Sequence, residues 1–239
     1  MRLPVIVAVL SALGAPAAAQ PTVVELFTSQ SCSSCPPAEA YLGELADRPD
    51  LVALEWHVDY WDDLVYGFAG RWRDVFSDPA FTERQRIYNR QIRGLAQVYT
   101  PQMVIGGRAE AVGTRTGRVE AAIADAAGRD GAAASVTVTR GEGRLLQIAV
   151  DGAAVGPASV WLVRLITREA TDVGGGENHG RRLENHNVVI GIDRLGDWAG
   201  GPARLTAPMP SGRADRCAVL VQTDGQGPIL AAAYCPGLG

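Results

Sequence analysis

Two short apolar runs, Thr22 to Phe27 (TVVELF) and Leu51 to His57 (LVALEWH), flank a segment from Pro36 to Asp47. In that segment Leu42, Leu45 and Ala46 recur at helical spacing. The pattern predicts strand, helix, strand, with Pro36 and Pro37 in the first helical turn, where a missing N–H does no harm. A crossover of this kind joins parallel strands by a right-handed connection. Residues 60–98 read as helical, with Asp78-Pro79 as cap and first-turn proline and Gly94 as the stop. Gln102 to Ile105 reads as a strand, Gly106-Gly107 as a hairpin turn and Arg108 to Val112 as the return strand. Val119, Ala122, Ile123 and Ala126 then keep helical spacing as far as Gly128.

From about residue 132 the period changes. Ser135–Thr139, Leu145–Val150, Ser159–Ile166, Asn187–Ile192, Cys217–Thr223 and Pro228–Ala233 read as short strands punctuated by Gly, Pro, Asn and Asp. The expected organisation is an α/β domain over 20–128, with a helical insertion at about 60–98, then a smaller antiparallel β-sandwich-like domain over 132–239.

The first 19 residues differ from the rest. Arg2 is followed by an apolar run from Leu3 to Leu13 and by Ala17-Ala18-Ala19, which predicts an export signal cleaved before Gln20. The alternative is an uncleaved N-terminal anchor. No later stretch approaches the about 18 uncharged apolar residues of a membrane span. The expected location is therefore the bacterial periplasm or the exterior, with no transmembrane segment after cleavage. Of the 239 residues, 47% are hydrophobic and 20% charged, enough for a packed core. The net charge is −4, and the 22 basic residues, all arginine, are scattered. That distribution argues against a nucleic-acid partner.

Four cysteines in an exported chain point to disulfides. Cys32-Ser33-Ser34-Cys35 is a Cys-x-x-Cys at the predicted strand-to-helix junction. There the helix dipole and unpaired N–H groups favour a thiolate on Cys32, and Cys35 can resolve a mixed disulfide. An inert disulfide or half of a zinc site are the alternatives. Zinc needs about four ligands, and no second pair at that spacing occurs. Cys217 and Cys235, 18 apart on successive predicted strands, suit a structural disulfide. Thr100-Pro101 precedes the third strand; a cis proline there would present the Thr100 backbone to an extended substrate. Glu25 lies in an apolar strand and is a candidate proton relay for Cys35. His57 and Asp59, at the end of the second strand, are candidates to line the substrate site with Ser33 and Ser34. The glycine-rich stretch Gly174 to Gly180 lacks the features of a phosphate cradle. It reads as a mobile connection, with reach over the cysteine site as the alternative. His179 and His186 have no ligand-like spacing, and no metal or cofactor is expected beyond the redox-active Cys32–Cys35 pair.

Cys32-Ser33-Ser34-Cys35, Thr100-Pro101 and the element order resemble the thioredoxin superfamily. The stretches VELFTSQSCSSCPPAE, HVDYWD, FTERQRIYN, YTPQMVI and GENHGRRLENHNVV resemble more closely a bacterial family of secreted thioredoxin-like proteins known only as a domain of unknown function. The resemblance implies a thioredoxin-like α/β fold and disulfide exchange with protein or peptide thiols. Ser31 stands where most thioredoxins carry Trp, and Ser33-Ser34 replaces their usual Gly-Pro. Two other functions fit the same residues. One is a copper(I)-handling module, with Met103 or His57 assisting the soft thiolates. The other is a non-catalytic binding module working through the β-rich half.

Overall fold

A computed structural model of the protein describes residues 20–65, 67–129, 134–154 and 156–237. The export signal expected at 1–19 lies outside the described residues. The chain runs β1 (Thr22–Thr28), α1 (Pro36–Ala46), β2 (Leu51–His57), α2 (Pro79–Arg93), β3 (Gln102–Ile105), β4 (Ala109–Val112) and α3 (Thr116–Arg129). Then follow β5 (Ala134–Arg140), β6 (Leu145–Gly152), β7 (Ala158–Asp172), β8 (Arg182–Trp198), β9 (Ala203–Pro208), β10 (Arg216–Thr223) and β11 (Ile229–Tyr234).

The helix expected across 60–98 occupies only its second half. Asp78 caps α2, its side chain accepting from the Ala80 N–H, and Gly94 ends it at φ 69°. Before it, Gly67 and Gly70 sit at φ 52° and 67°, left-handed conformations that interrupt a helix, and among the described residues there only the turn Gly67–Ala69 is helical.

Eight strands form one sheet in the order β11-β10-β7-β8-β2-β1-β3-β4. β1 and β2 are parallel, with Thr22 opposite Leu51 and Thr28 opposite His57. β3 and β4 continue the sheet antiparallel beyond β1. On the other side β8 adds to the edge of β2 in parallel, with Val188 opposite Glu55. The strands after residue 134 stack in two layers packed on one another, but one of those layers is continuous with the first sheet. Four of them extend the first sheet, which removes the open edge that β2 would otherwise present. The other three, ordered β5-β6-β9, make a second sheet.

Side-chain alternation in β1 and β2 assigns each face of the sheet to a helix layer. Val24, Leu26, Leu51 and Ala53 pack with Ala38, Leu42 and Leu45 of α1 and with Val119 and Ile123 of α3. Val23, Phe27, Val52, Leu54 and Trp56 pack on the opposite side with Phe81 and Tyr88 of α2. The three-stranded sheet closes a separate apolar layer against Val160, Val219 and Leu230 of the extension. Within that layer Cys217 and Cys235 form a disulfide, with Cα atoms 5.2 Å apart. Replacing both by serine should lower the unfolding free energy by about 3 kcal/mol, the entropy of closing a loop of this size. Urea unfolding of the oxidised proteins measures this; equal midpoints would show that the bond adds no stability.

Candidate functional site

The first turn of α1 is unusual at its start. Cys35 occupies the capping position without a side-chain cap bond, and Pro36 and Pro37 have no N–H to offer. The Cys35 N–H donates to Cys32 O at 3.1 Å, and the Ala38 N–H to Cys35 O at 2.8 Å. The free N–H groups expected to hold a Cys32 thiolate are thus spent or missing. What faces the sulfur is the Ser34 hydroxyl, 3.3 Å from Cys32 Sγ. Cys32 and Cys35 are joined as a disulfide with Cα atoms 5.4 Å apart. Both cysteines are 0% exposed, although Ser33 and Ser34 between them reach solvent.

Beneath this turn lies a sealed cluster of ionisable groups. Glu39 follows Cys35 by one helical turn, and its N–H donates to Cys35 O at 3.1 Å. Its carboxyl group accepts from the Thr28 hydroxyl at 2.6 Å. Burial, reinforced by the negative charge of Glu55, pushes the Glu39 carboxyl up to about 8. His57 sits beside it, Nδ1 2.7 Å from Asp74 Oδ2 and Nε2 3.4 Å from Glu55 Oε1. Burial alone would lower the imidazole. The charge and hydrogen bond of Asp74, and then Glu55, outweigh it and hold His57 well above its usual range. Asp74 also accepts from the Gln30 N–H at 2.7 Å, tying the cluster to the loop that carries the motif. Glu55 accepts from the Asn185 amide and from the His186 N–H, both at 2.7 Å.

The expected site residues separate into two groups. Pro101 is cis and stands beside the helix start: a Cβ on Gly113 would lie 2.9 Å from Ala38 Cβ and 3.4 Å from Pro101 Cβ. Thr100 Oγ1 accepts from Trp61 Nε1 at 2.9 Å. Glu25 is not on this side of the sheet. It alternates with Val24 and Leu26, which face α1, so its carboxylate faces α2. There it accepts from Arg84 Nε at 2.7 Å and from the Tyr88 hydroxyl at 2.5 Å. Glu25 cannot relay a proton to Cys35; the buried carboxyl groups on the motif's side are Glu39, Glu55 and Asp74, and of these Glu39 is the one on α1. His57 lies under α1, fully buried, rather than lining a surface. Asp59 is bound to α2, its Oδ1 accepting from the Thr82 hydroxyl at 2.5 Å. Met103 is part of the core between the sheet and the helices α1 and α3. Among the described residues no group of three or more His, Cys, Asp or Glu side chains is placed to hold a metal ion. Glu39 has a sequence signal: it falls on the buried stripe of α1, between Ala38 and Leu42.

The glycine-rich stretch is a packed cover rather than a mobile connection. It links β7 to β8 and lies on the motif. Ser33 donates from both its N–H (2.9 Å) and its hydroxyl (2.8 Å) to Glu177 Oε2. The Glu177 N–H donates to Ser31 O at 3.1 Å. The Asn178 amide donates to Gln30 O and Cys32 O, each at 2.9 Å. Three glycines make the approach possible. A Cβ on Gly174, Gly175 or Gly176 would fall 2.7 Å from the Trp72 ring, 2.5 Å from Arg71 O or 2.7 Å from Ser31 Oγ.

Residues 23–222 match the family described as "Protein of unknown function (DUF1223)". Among solved structures, the protein AGR_C_4864 from Agrobacterium tumefaciens is 30% identical, with a TM-score of 0.76, over 92% of this chain and 95% of that one. HBP35 of Porphyromonas gingivalis shares the fold at 14% identity and a TM-score of 0.56, over 90% of this chain and 74% of that one. No curated protein matches the chain.

The raised Glu39 carboxyl has a consequence for stability. Between the ordinary value of 4.5 and about 8, the folded chain holds a proton that the unfolded chain gives up. This contribution is complete below 4.5 and is lost as pH rises towards about 8. Glu39→Gln, which mimics the protonated carboxyl, should lose less stability than the natural chain across that window in urea titrations. Parallel pH profiles would show Glu39 to be ionised in the folded state.

Proposed function

The chain belongs to the DUF1223 family, and from that premise we propose that it is an exported thiol–disulfide oxidoreductase acting on protein or peptide thiols through Cys32 and Cys35. The observation that carries the reading is the disulfide closed in the turn that leads into α1, with cis Pro101 near Ala38 in the first turn of that helix. The order β1-α1-β2, then α2, a strand pair and α3, supports a thioredoxin-like description of the first half. The second disulfide, Cys217–Cys235, fits an oxidising compartment and supports export.

In the oxidising direction a substrate thiolate attacks Cys32 Sγ. The Cys32–Cys35 bond breaks and its electron pair leaves on Cys35 Sγ, which takes up a proton. A second substrate thiolate then attacks the substrate sulfur of the mixed disulfide and releases Cys32 as a thiolate. Two electrons have passed from the substrate dithiol to the motif, and the substrate carries the new disulfide. The same steps reversed reduce a substrate disulfide, the direction following the partner's potential. The Ser34 hydroxyl is placed to donate to the Cys32 thiolate. Glu39, a protonated carboxyl at neutral pH one turn beyond Cys35, is the nearest buried acid on that helix. Thr100, Pro101, Ser33 and Ser34 form the substrate-facing set.

Reduction of insulin disulfides with dithiothreitol as electron source tests the reading. Cys32→Ser should abolish turnover while far-ultraviolet circular dichroism and the urea midpoint stay near the natural values. Turnover that survives in Cys32→Ser would refute it.

A further inference from the structure

The connection between β7 and β8 is bonded largely within itself; its backbone ties to other segments are Gly176 N–H to Gly70 O at 3.3 Å and Glu177 N–H to Ser31 O at 3.1 Å. At its base the Val173 N–H donates to Arg181 O at 2.9 Å and the Gly180 N–H to Val173 O at 2.8 Å. Inside it the Arg181 guanidinium donates to Asn178 Oδ1 at 2.8 Å and the His179 N–H to Gly176 O at 3.3 Å. Residues bonded to one another in this way keep their shape if the unit lifts from its neighbours. Gly176 and Gly180, at φ 70° and 76°, bracket the residues that touch the motif.

Resting on the reading that Cys32 and Cys35 exchange thiols, we propose that Val173–Arg181 is a lid that holds the disulfide closed and must lift before a thiol reaches Cys32. Disulfide exchange needs a thiolate to approach the attacked sulfur directly. Both cysteines are wholly buried, and the lid binds the backbone on either side of Cys32, through Ser31 O, Cys32 O and the Ser33 N–H. The latch combines two kinds of bond. The Glu177–Ser33 pair is exposed, so water competes for it, whereas the Asn178 bonds to Gln30 O and Cys32 O are buried. Lifting the lid uncovers three carbonyls, on Gln30, Ser31 and Cys32, and the N–H and hydroxyl of Ser33. Such a row of backbone groups fits an extended polypeptide, and a carboxylate on that polypeptide takes over the two bonds of Glu177. The lid therefore occupies the place of the partner until the partner displaces it.

The test follows reduction of the oxidised full chain by dithiothreitol, with alkylation and mass spectrometry to count free thiols at each cysteine. In Glu177→Ala and in Asn178→Ala the Cys32–Cys35 bond should be reduced roughly tenfold faster than in the natural chain. The Cys217–Cys235 bond, on other strands, should keep its rate and reports on folding. An unchanged or slower rate at Cys32–Cys35 in both variants overturns the lid. If either variant fails to fold, amide hydrogen exchange on the natural chain decides. The Gly176 and Glu177 amides, bonded to Gly70 O and Ser31 O, should exchange by local opening, well before those of β1; exchange only with global unfolding overturns the lid. Faster reduction in the variants, with no insulin turnover in any chain, keeps the lid and removes the oxidoreductase reading. Unchanged reduction with insulin turnover intact removes the lid and keeps that reading.

Discussion

The geometry of the motif depends on how α1 is seated across β1 and β2. The helix presents a stripe of Ala38, Leu42 and Leu45 to the sheet, and Glu39 goes down with them. A buried carboxyl group without partners costs on the order of 1–3 kcal/mol or more, so the sheet must answer it. Thr28 supplies the hydrogen bond, and His57, between Glu55 and Asp74, balances charge beside it. Asp74 in turn fixes the Gln30 N–H, and with it the loop leading into Cys32. The cysteine turn is thus held from below by a polar cluster that no solvent reaches, and from above by Glu177 and Asn178.

The two disulfides occupy different surroundings. Cys217 and Cys235 lie on adjacent antiparallel strands inside an apolar layer, and the Cys235 N–H also bonds Cys217 O at 2.8 Å. Cys217 is fully buried there, and Cys235 is partly buried. Cys32 and Cys35 bracket two exposed serines; Cys32 Sγ stands beside the Ser34 hydroxyl, and the Cys35 carbonyl accepts from the N–H of Glu39, whose buried carboxyl is pushed up to about 8. Pro36 and Pro37 offer no N–H at the start of α1, and the Ser34 hydroxyl lies 3.3 Å from Cys32 Sγ.

Local elements were legible where a period and a breaker agreed. The strand at Thr22–Thr28, the helix at Pro36–Ala46 and the turn at Gly106-Gly107 follow from apolar runs, first-turn prolines and paired glycines. The membership of the later strands was not, because a period of two says that a strand has faces but not which edge it joins; β8 went to β2. The facing of Glu25 was decided by alternation with Val24 and Leu26, which becomes informative only once α1 is known to cover those two. Glu39 was readable in principle, as a carboxylate on an apolar stripe four residues after Cys35. Asp74 and Asn178 were not: both act across 44 residues or more, on Gln30, through contacts that no local pattern encodes.

The central claim is that Cys32–Cys35 is an exchanging couple and Cys217–Cys235 a structural one. Equilibration of the full chain in glutathione buffers of graded potential, with alkylation to resolve each pair, separates them. The account predicts a midpoint for Cys32–Cys35 in the range of catalytic couples, between about −270 and −120 mV, with Cys217–Cys235 remaining oxidised below about −300 mV. A Cys32–Cys35 bond that also stays closed below about −300 mV would contradict it.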